Sequence, residues 1–191
     1  MFFVLLIVLA CDPPPQKIAA AEDTHDALDT GPVAGELERV FVYALIADPH
    51  IVGPGAHADR VSRVAAALAA LPPARSPELV FVLGDIAWGG GWADAHEALE
   101  AMPAPWIPLI GDNPIQVGEE TGFEDTFSGQ LDALGAEVGG WVRAPLPVDN
   151  PIMGVQSWLQ NFHLDHKGVR FVGLDWNSRE IGTAWGELPD L

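Results

Sequence analysis

The chain has one cysteine and only nine lysine and arginine residues among 191. A single thiol excludes an intrachain disulfide. The scarce cations face 27 Asp and Glu, leaving a formal net charge of −18. Nucleic-acid binding needs clustered cations, and so does adhesion to anionic lipid, so no nucleic-acid surface and no electrostatic membrane surface is expected. No internal repeat is visible. What is present is apolar: 49% of the residues are hydrophobic. That composition argues against disorder, and the length suits one domain with a real core. Much of the acidic excess falls on loops and helix faces, where it aids solubility.

The run Phe2 to Ala10 is unbroken and apolar. It is too short to cross a bilayer as a helix but fits the hydrophobic core of an export signal. Val8-Leu9-Ala10-Cys11 resembles a bacterial lipobox, in which the cysteine thiol takes a diacylglycerol and becomes the mature N-terminus. No Lys or Arg precedes the run, a departure from the usual basic start. Residues 1–11 are therefore expected to be a signal peptide with Cys11 as the lipidation site. The expected location is the bacterial cell envelope, as a lipoprotein or secreted protein, with the lipid as the only membrane attachment. Residues 12–37, with Pro13-Pro14-Pro15 and Gly31-Pro32, read as a flexible tether.

The domain is expected over 38–191. Val40 to Ala47 reads as a buried strand, Ala58 to Leu71 as a helix stopped by Pro72-Pro73, and Leu79 to Leu83 as a second strand. Trp92 to Met102 reads as a helix and Trp106 to Ile110 as a third strand, although Pro108 suits a central strand poorly. Phe123 to Leu134 is a weaker helix, and Gly139 to Gly154 a Gly/Pro-rich connection. Trp158 to Leu164 and Val169 to Leu174 flank a hairpin turn at Asp165-His166-Lys167-Gly168. The β-α-β-α-β order implies an α/β fold with a parallel sheet and right-handed crossovers.

Each of the first three strands runs out into an acidic residue: Asp48-Pro49-His50, Gly84-Asp85 and Gly111-Asp112-Asn113. Ligands in open α/β sheets sit beyond the carboxyl ends of the strands. One Asp in such a place is commonly a helix cap. Three at consecutive strand ends, one with His two residues on, point instead to one or two divalent cations.

These residues resemble the calcineurin-like metallophosphoesterases. Asp48-Pro49-His50 matches the family's Asp-x-His, Gly84-Asp85 its Gly-Asp, and Gly111-Asp112-Asn113 stands where it carries Gly-Asn-His. The pair ending in Leu174-Asp175 is similar to its later hairpin, so the resemblance runs from about Val40 to Ser178. It implies a layered metallophosphoesterase-like sheet with flanking helices. It also implies that Asp48 and His50 hold a first metal, that Asp85 bridges two, and that Asp112 serves the second. Mixed His and carboxylate ligands suit Mn, Fe or Zn better than Ca. The chemistry implied is hydrolysis of a phosphomonoester or phosphodiester: two cations activate a water that attacks phosphorus in line.

Two departures matter. Asn113 occupies the usual His position and is expected to contact phosphate, but an amide cannot act as a general acid, assistance commonly worth about 10²–10⁴-fold. The family's later His and Gly-His-x-His do not follow Ser178, and His25, His57, His96, His163 and His166 lie in other contexts. The domain is accordingly expected to be incomplete or a degenerate copy, and a catalytically silent lipoprotein acting as a binding module is the rival reading. Trp92 is expected to pack under the next helix, Trp88 to stand at the rim or in a turn, and Asp175 to hydrogen-bond a neighbouring loop without a catalytic role. His57, Asp59 and Arg60 read as surface residues of the first helix.

Overall fold

The computed structural model describes residues 5–10, 41–151, 153–177 and 179. It contains two sheets, a separate hairpin and four α-helices in the described part. Of the expected tether and of Cys11, both outside the described residues, nothing structural follows.

The parallel sheet is built from β2 (Tyr43–Ala47), β3 (Leu79–Leu83) and β4 (Trp106–Leu109), in the order β2-β3-β4. The crossovers are α1 (Ala56–Ala69) and α2 (Trp92–Glu100). The β-α-β-α-β reading is thus correct, and the bounds of β3 match the apolar run residue for residue. All of β3 except Leu83 is buried, as a strand with a neighbour on each side should be. The expectation of a buried first strand is corrected. β2 pairs only with β3 among the described residues, and Tyr43 and Leu45 are exposed. Pro108 is accommodated because β4 lies at the other edge, where its strand needs one set of ladder bonds only.

The antiparallel sheet runs β1 (Leu5–Ala10), β9 (Val169–Leu174), β8 (Phe162–His166), β5 (Val142–Arg143). The hairpin turn at Asp165 to Gly168 is as expected, with Lys167 and Gly168 both at positive φ. The sequence run Trp158 to Leu164 is not one strand. β7 (Val155–Leu159) ends before Gln160-Asn161 and β8 begins after them. The expected connection Gly139 to Gly154 is also corrected, since it holds β5 and β6 (Leu146–Asn150), the latter paired with β7. Leu5–Ala10, the described part of the run Phe2 to Ala10 read as a signal core, lies antiparallel to β9 with Leu5 opposite Leu174.

The two sheets meet through aromatic rings. Phe171 of β9 stands 5.1 Å from Phe81 of β3 and 5.5 Å from Tyr43, centroid to centroid. On the helical side, Val61 and Ala65 of α1, Ala95 and Leu99 of α2, and Phe123, Phe127 and Leu131 of α4 (Glu120–Glu137) complete the buried core. Trp92 packs against α4 as expected, its ring 6.1 Å from Phe127. α4 is longer at both ends than its weak periodicity suggested. A further short helix, α3 (Asp112–Gln116), follows β4 directly and was not anticipated.

Candidate metal centre

The first two strands of the parallel sheet deliver Asp48, His50 and Asp85 to one place, and Asp112, at the third, lies outside that group but close enough to Asp85 to feel its charge. One ligand atom each from Asp48, His50 and Asp85 lies within 4.8 Å of the other two. Asp48 is exposed, His50 partly so and Asp85 buried, so the group is reachable from solvent on one side and walled on the other. His50 Nε2 stands 3.6 Å from Asp85 Oδ2.

The backbone explains how. Beyond β2 and β3 the two chains stay zipped: the His50 amide donates to the Asp85 carbonyl at 2.9 Å, and Ile51 to Ile86 at 2.9 Å. Among the described residues, four that are not glycine have positive φ: Asp48 at 50°, His50 at 56°, Asp85 at 42° and Lys167 at 47°. The first three are the triad. Left-handed backbone at a non-glycine residue costs of order 1–3 kcal/mol, so it persists where surrounding structure imposes it, typically at functional sites. The alternative role as helix caps is excluded for Asp48 and Asp85. The residues flanking α1 and α2 are Gly55 and Gly91, and neither helix has a side-chain cap.

The third strand end docks on Asp85 from the other side. The Asn113 backbone N–H donates to Asp85 Oδ1 at 3.0 Å, and its side-chain amide to Oδ2 at 2.6 Å. Gly111 is in van der Waals contact with the same residue; a Cβ there would overlap the Asp85 backbone nitrogen and Oδ1. Asn113 was expected to contact phosphate. In the structure its side-chain amide gives one N–H to Asp85, which orients that carboxylate and leaves the second N–H for another acceptor.

Asp112 lies beside the triad. Burial, then the charge of Asp85, push its carboxyl up to about 6, with a smaller push from Asp48. Among these carboxylates no Lys or Arg side chain makes an ion pair in the described residues. The Gln116 side-chain amide donates to Asp112 Oδ2. Sequence reasoning missed Gln116; its signal is the four-residue offset from Asp112, legible only once α3 is known to exist.

The remaining expectations sort clearly. His57, in the first turn of α1, faces the loop after β2, its Nδ1 3.2 Å from the Pro49 carbonyl. His96 and His166 sit elsewhere, near Glu100 and Glu78. Asp175 is structural, as expected: it accepts the Gln160 backbone N–H at 3.1 Å and pairs with Arg179 at 2.7 Å.

A divalent cation fits this donor set. Two carboxylates and an imidazole converge, a third carboxylate lies beside Asp85, and apart from neutral amide donors and His50 no cation among the described residues offsets their repulsion. The family model for calcineurin-like phosphoesterases matches residues 41–187. The chain belongs to that family, and its α/β layering of sheets and flanking helices is the family's architecture. Membership carries with it a broad class, phosphoester hydrolysis assisted by divalent metal. No curated protein sequence matches the chain.

Proposed function

We propose that this protein hydrolyses phosphate monoesters or diesters with one or two divalent ions of Mn, Fe or Zn. Asp48, His50 and Asp85 hold the first, and Asp85 and Asp112 the second. The observation that carries the reading is the convergence of Asp48, His50 and Asp85 on left-handed backbone, with Asp112 against Asp85. When bound, the cations supply Lewis-acid stabilisation of phosphoryl oxygens and acidify a water molecule. The protein does the rest. Asn113 fixes both oxygens of Asp85, Gln116 fixes Asp112, and the zipped loops keep the ligands from relaxing apart.

The test pairs metal stoichiometry with turnover. Wild-type protein reconstituted with Mn²⁺ should bind the metal stoichiometrically and hydrolyse an aryl phosphate. Asp85→Asn should lose bound metal and at least a thousandfold in kcat/KM, about 4 kcal/mol of transition-state stabilisation. Stoichiometric metal without turnover would instead establish the binding-module reading.

We also propose that the chain is exported and lipidated at Cys11. The apolar run and Val8-Leu9-Ala10-Cys11 support this. Leu5–Ala10 cannot lie against β9 and in a translocation channel at once, so cleavage before Cys11 would leave the β9 edge without this partner. Incorporation of labelled fatty acid in a bacterial host, lost in Cys11→Ser, checks it.

A further inference from the structure

Trp88 is the large aromatic residue at the mouth of the metal centre. It lies three residues after Asp85, is only half-buried, and its ring stands edge-on to the His50 imidazole at 5.1 Å. The backbone around it is anchored on both sides. Its own N–H reaches the Ile51 carbonyl at 3.4 Å, and its carbonyl accepts the Gly91 N–H at 3.1 Å. Glu119, at the start of α4, clasps the same turn, accepting the Gly89 N–H at 2.8 Å and the Trp92 indole N–H at 3.1 Å. Gly91 sits so close to Ile51 that no side chain fits there. Beside Gly89 and Gly90 the space is open: an added Cβ would meet nothing within 4 Å. A half-buried indole on a braced turn, in ring contact with His50, offers a wall for a planar group.

The opposite side of Asp85 adds a second constraint. Asn113 is the neutral polar side chain there, and its amide is given to Asp85 Oδ2 at 2.6 Å. It carries no ionisable proton for a departing alkoxide. Esters whose oxygen leaves as a stable anion need none.

We propose that Trp88 forms the leaving-group wall of the site, and that the preferred substrates are phosphate esters with a planar, acidic leaving group, an aryl phosphate being the chemical class. This rests on the phosphoesterase reading above and narrows it. In the reaction a water oxygen forms the new bond to phosphorus and one of its protons passes to bulk solvent. The bond from phosphorus to the aryl oxygen breaks, its electron pair stays on that oxygen, and the aryloxide leaves unprotonated with its ring against the indole.

Binding and turnover are measured separately. In Mn²⁺-loaded protein, phenylphosphonate should bind more tightly than methylphosphonate by roughly three- to tenfold, the range of one aromatic pair. That margin should vanish in Trp88→Leu and return in Trp88→Phe. A purely structural Trp88 would weaken both phosphonates together, and equal binding of the two in wild type would overturn the wall. In turnover, kcat/KM should fall steeply from 4-nitrophenyl phosphate to phenyl phosphate to glycerol phosphate. A flat series would mean that a proton donor such as His57 serves the site and would overturn the preference. Failure of both measurements, with hydrolysis still abolished by Asp85→Asn, removes this inference and leaves the phosphoesterase reading standing. No hydrolysis of any ester removes that reading itself.

Discussion

Two places in this molecule gather acidic side chains, and they are built on opposite principles. At the ends of β2 and β3 three side chains meet on left-handed backbone, with Asp112 from the end of β4 beside Asp85, and among the described residues no Lys or Arg pairs with them. Behind α4 the Glu120 and Asp175 side chains are more deeply buried, and there Arg179 pairs with Asp175 and stands 3.8 Å from Glu120 Oε1, while Glu120 Oε2 has no hydrogen-bond partner among the described residues. All five guanidinium N–H groups are placed. Nε reaches Ser157, the two terminal nitrogens grip both oxygens of Asp175, and the remaining donors go to the carbonyls of Trp158 and Asn177. Ser157 and Asn150 in turn donate to Glu120 Oε1 at 2.7 and 3.1 Å. The deeply buried cluster holds an arginine and ties the β6–β7 hairpin and the end of β9 to α4. The strand-end cluster, with Asp48 exposed, holds no such cation among the described residues and carries the backbone strain.

The sharpest way to break this comparison is to remove the cation from the deeply buried cluster. Arg179→Leu leaves Asp175 buried without its partner and should destabilise the fold by about 3–5 kcal/mol in denaturant melts, a result independent of added metal. At the metal centre the opposite pattern is expected: substitutions should change metal affinity more than stability. Gln116→Leu should weaken Mn²⁺ binding by about ten- to a hundredfold in calorimetric titration, with the metal-free melting temperature little changed, because the amide only orients Asp112. If both variants behave alike, the distinction between the two clusters fails.

A smaller effect lies in pH. Asp112 binds its proton more tightly folded than unfolded, since its carboxyl moves from 3.8 to about 6. Stability of the metal-free protein should therefore fall as pH rises from about 4 to 6 and level off above, the sign for a raised acid. Glu78 and Asp165 act in the other sense, each lowered chiefly by a hydrogen bond, from Lys167 and Arg170 respectively. The comparison is therefore made against Asp112→Asn, which should flatten the fall, while Mn²⁺ at neutral pH should reverse it in wild type. Identical melting curves for the two proteins in chelator across that range would refute the burial of an uncompensated charge at Asp112.

Much of the site was legible before folding. Strand ends are marked by where apolar runs stop, and Asp48, His50, Asp85 and Asp112 stand at those stops. Local pattern also placed β3 to the residue and recognised the β8–β9 turn by Asp165 to Gly168. What escaped was set by contacts across the chain. The bond from Asn113 to Asp85 escaped because α3 begins one residue earlier and carries the amide over the Asp85 carboxylate. The Gly139 to Gly154 stretch became strand because Leu146–Asn150 finds a partner in Val155–Leu159, and pairing energy depends on that partner.

By itself, then, the amino-acid order determined which residues can ligate and at which strand ends they stand, since hydrophobic periodicity and its interruptions are local properties. Only the tertiary structure decided which carboxylates share a cation site and which share an arginine. Those assignments depend on through-space distances of a few ångströms between segments as far apart as Asp48 and Asp85, or Glu120 and Arg179, and such distances exist only once the core has closed.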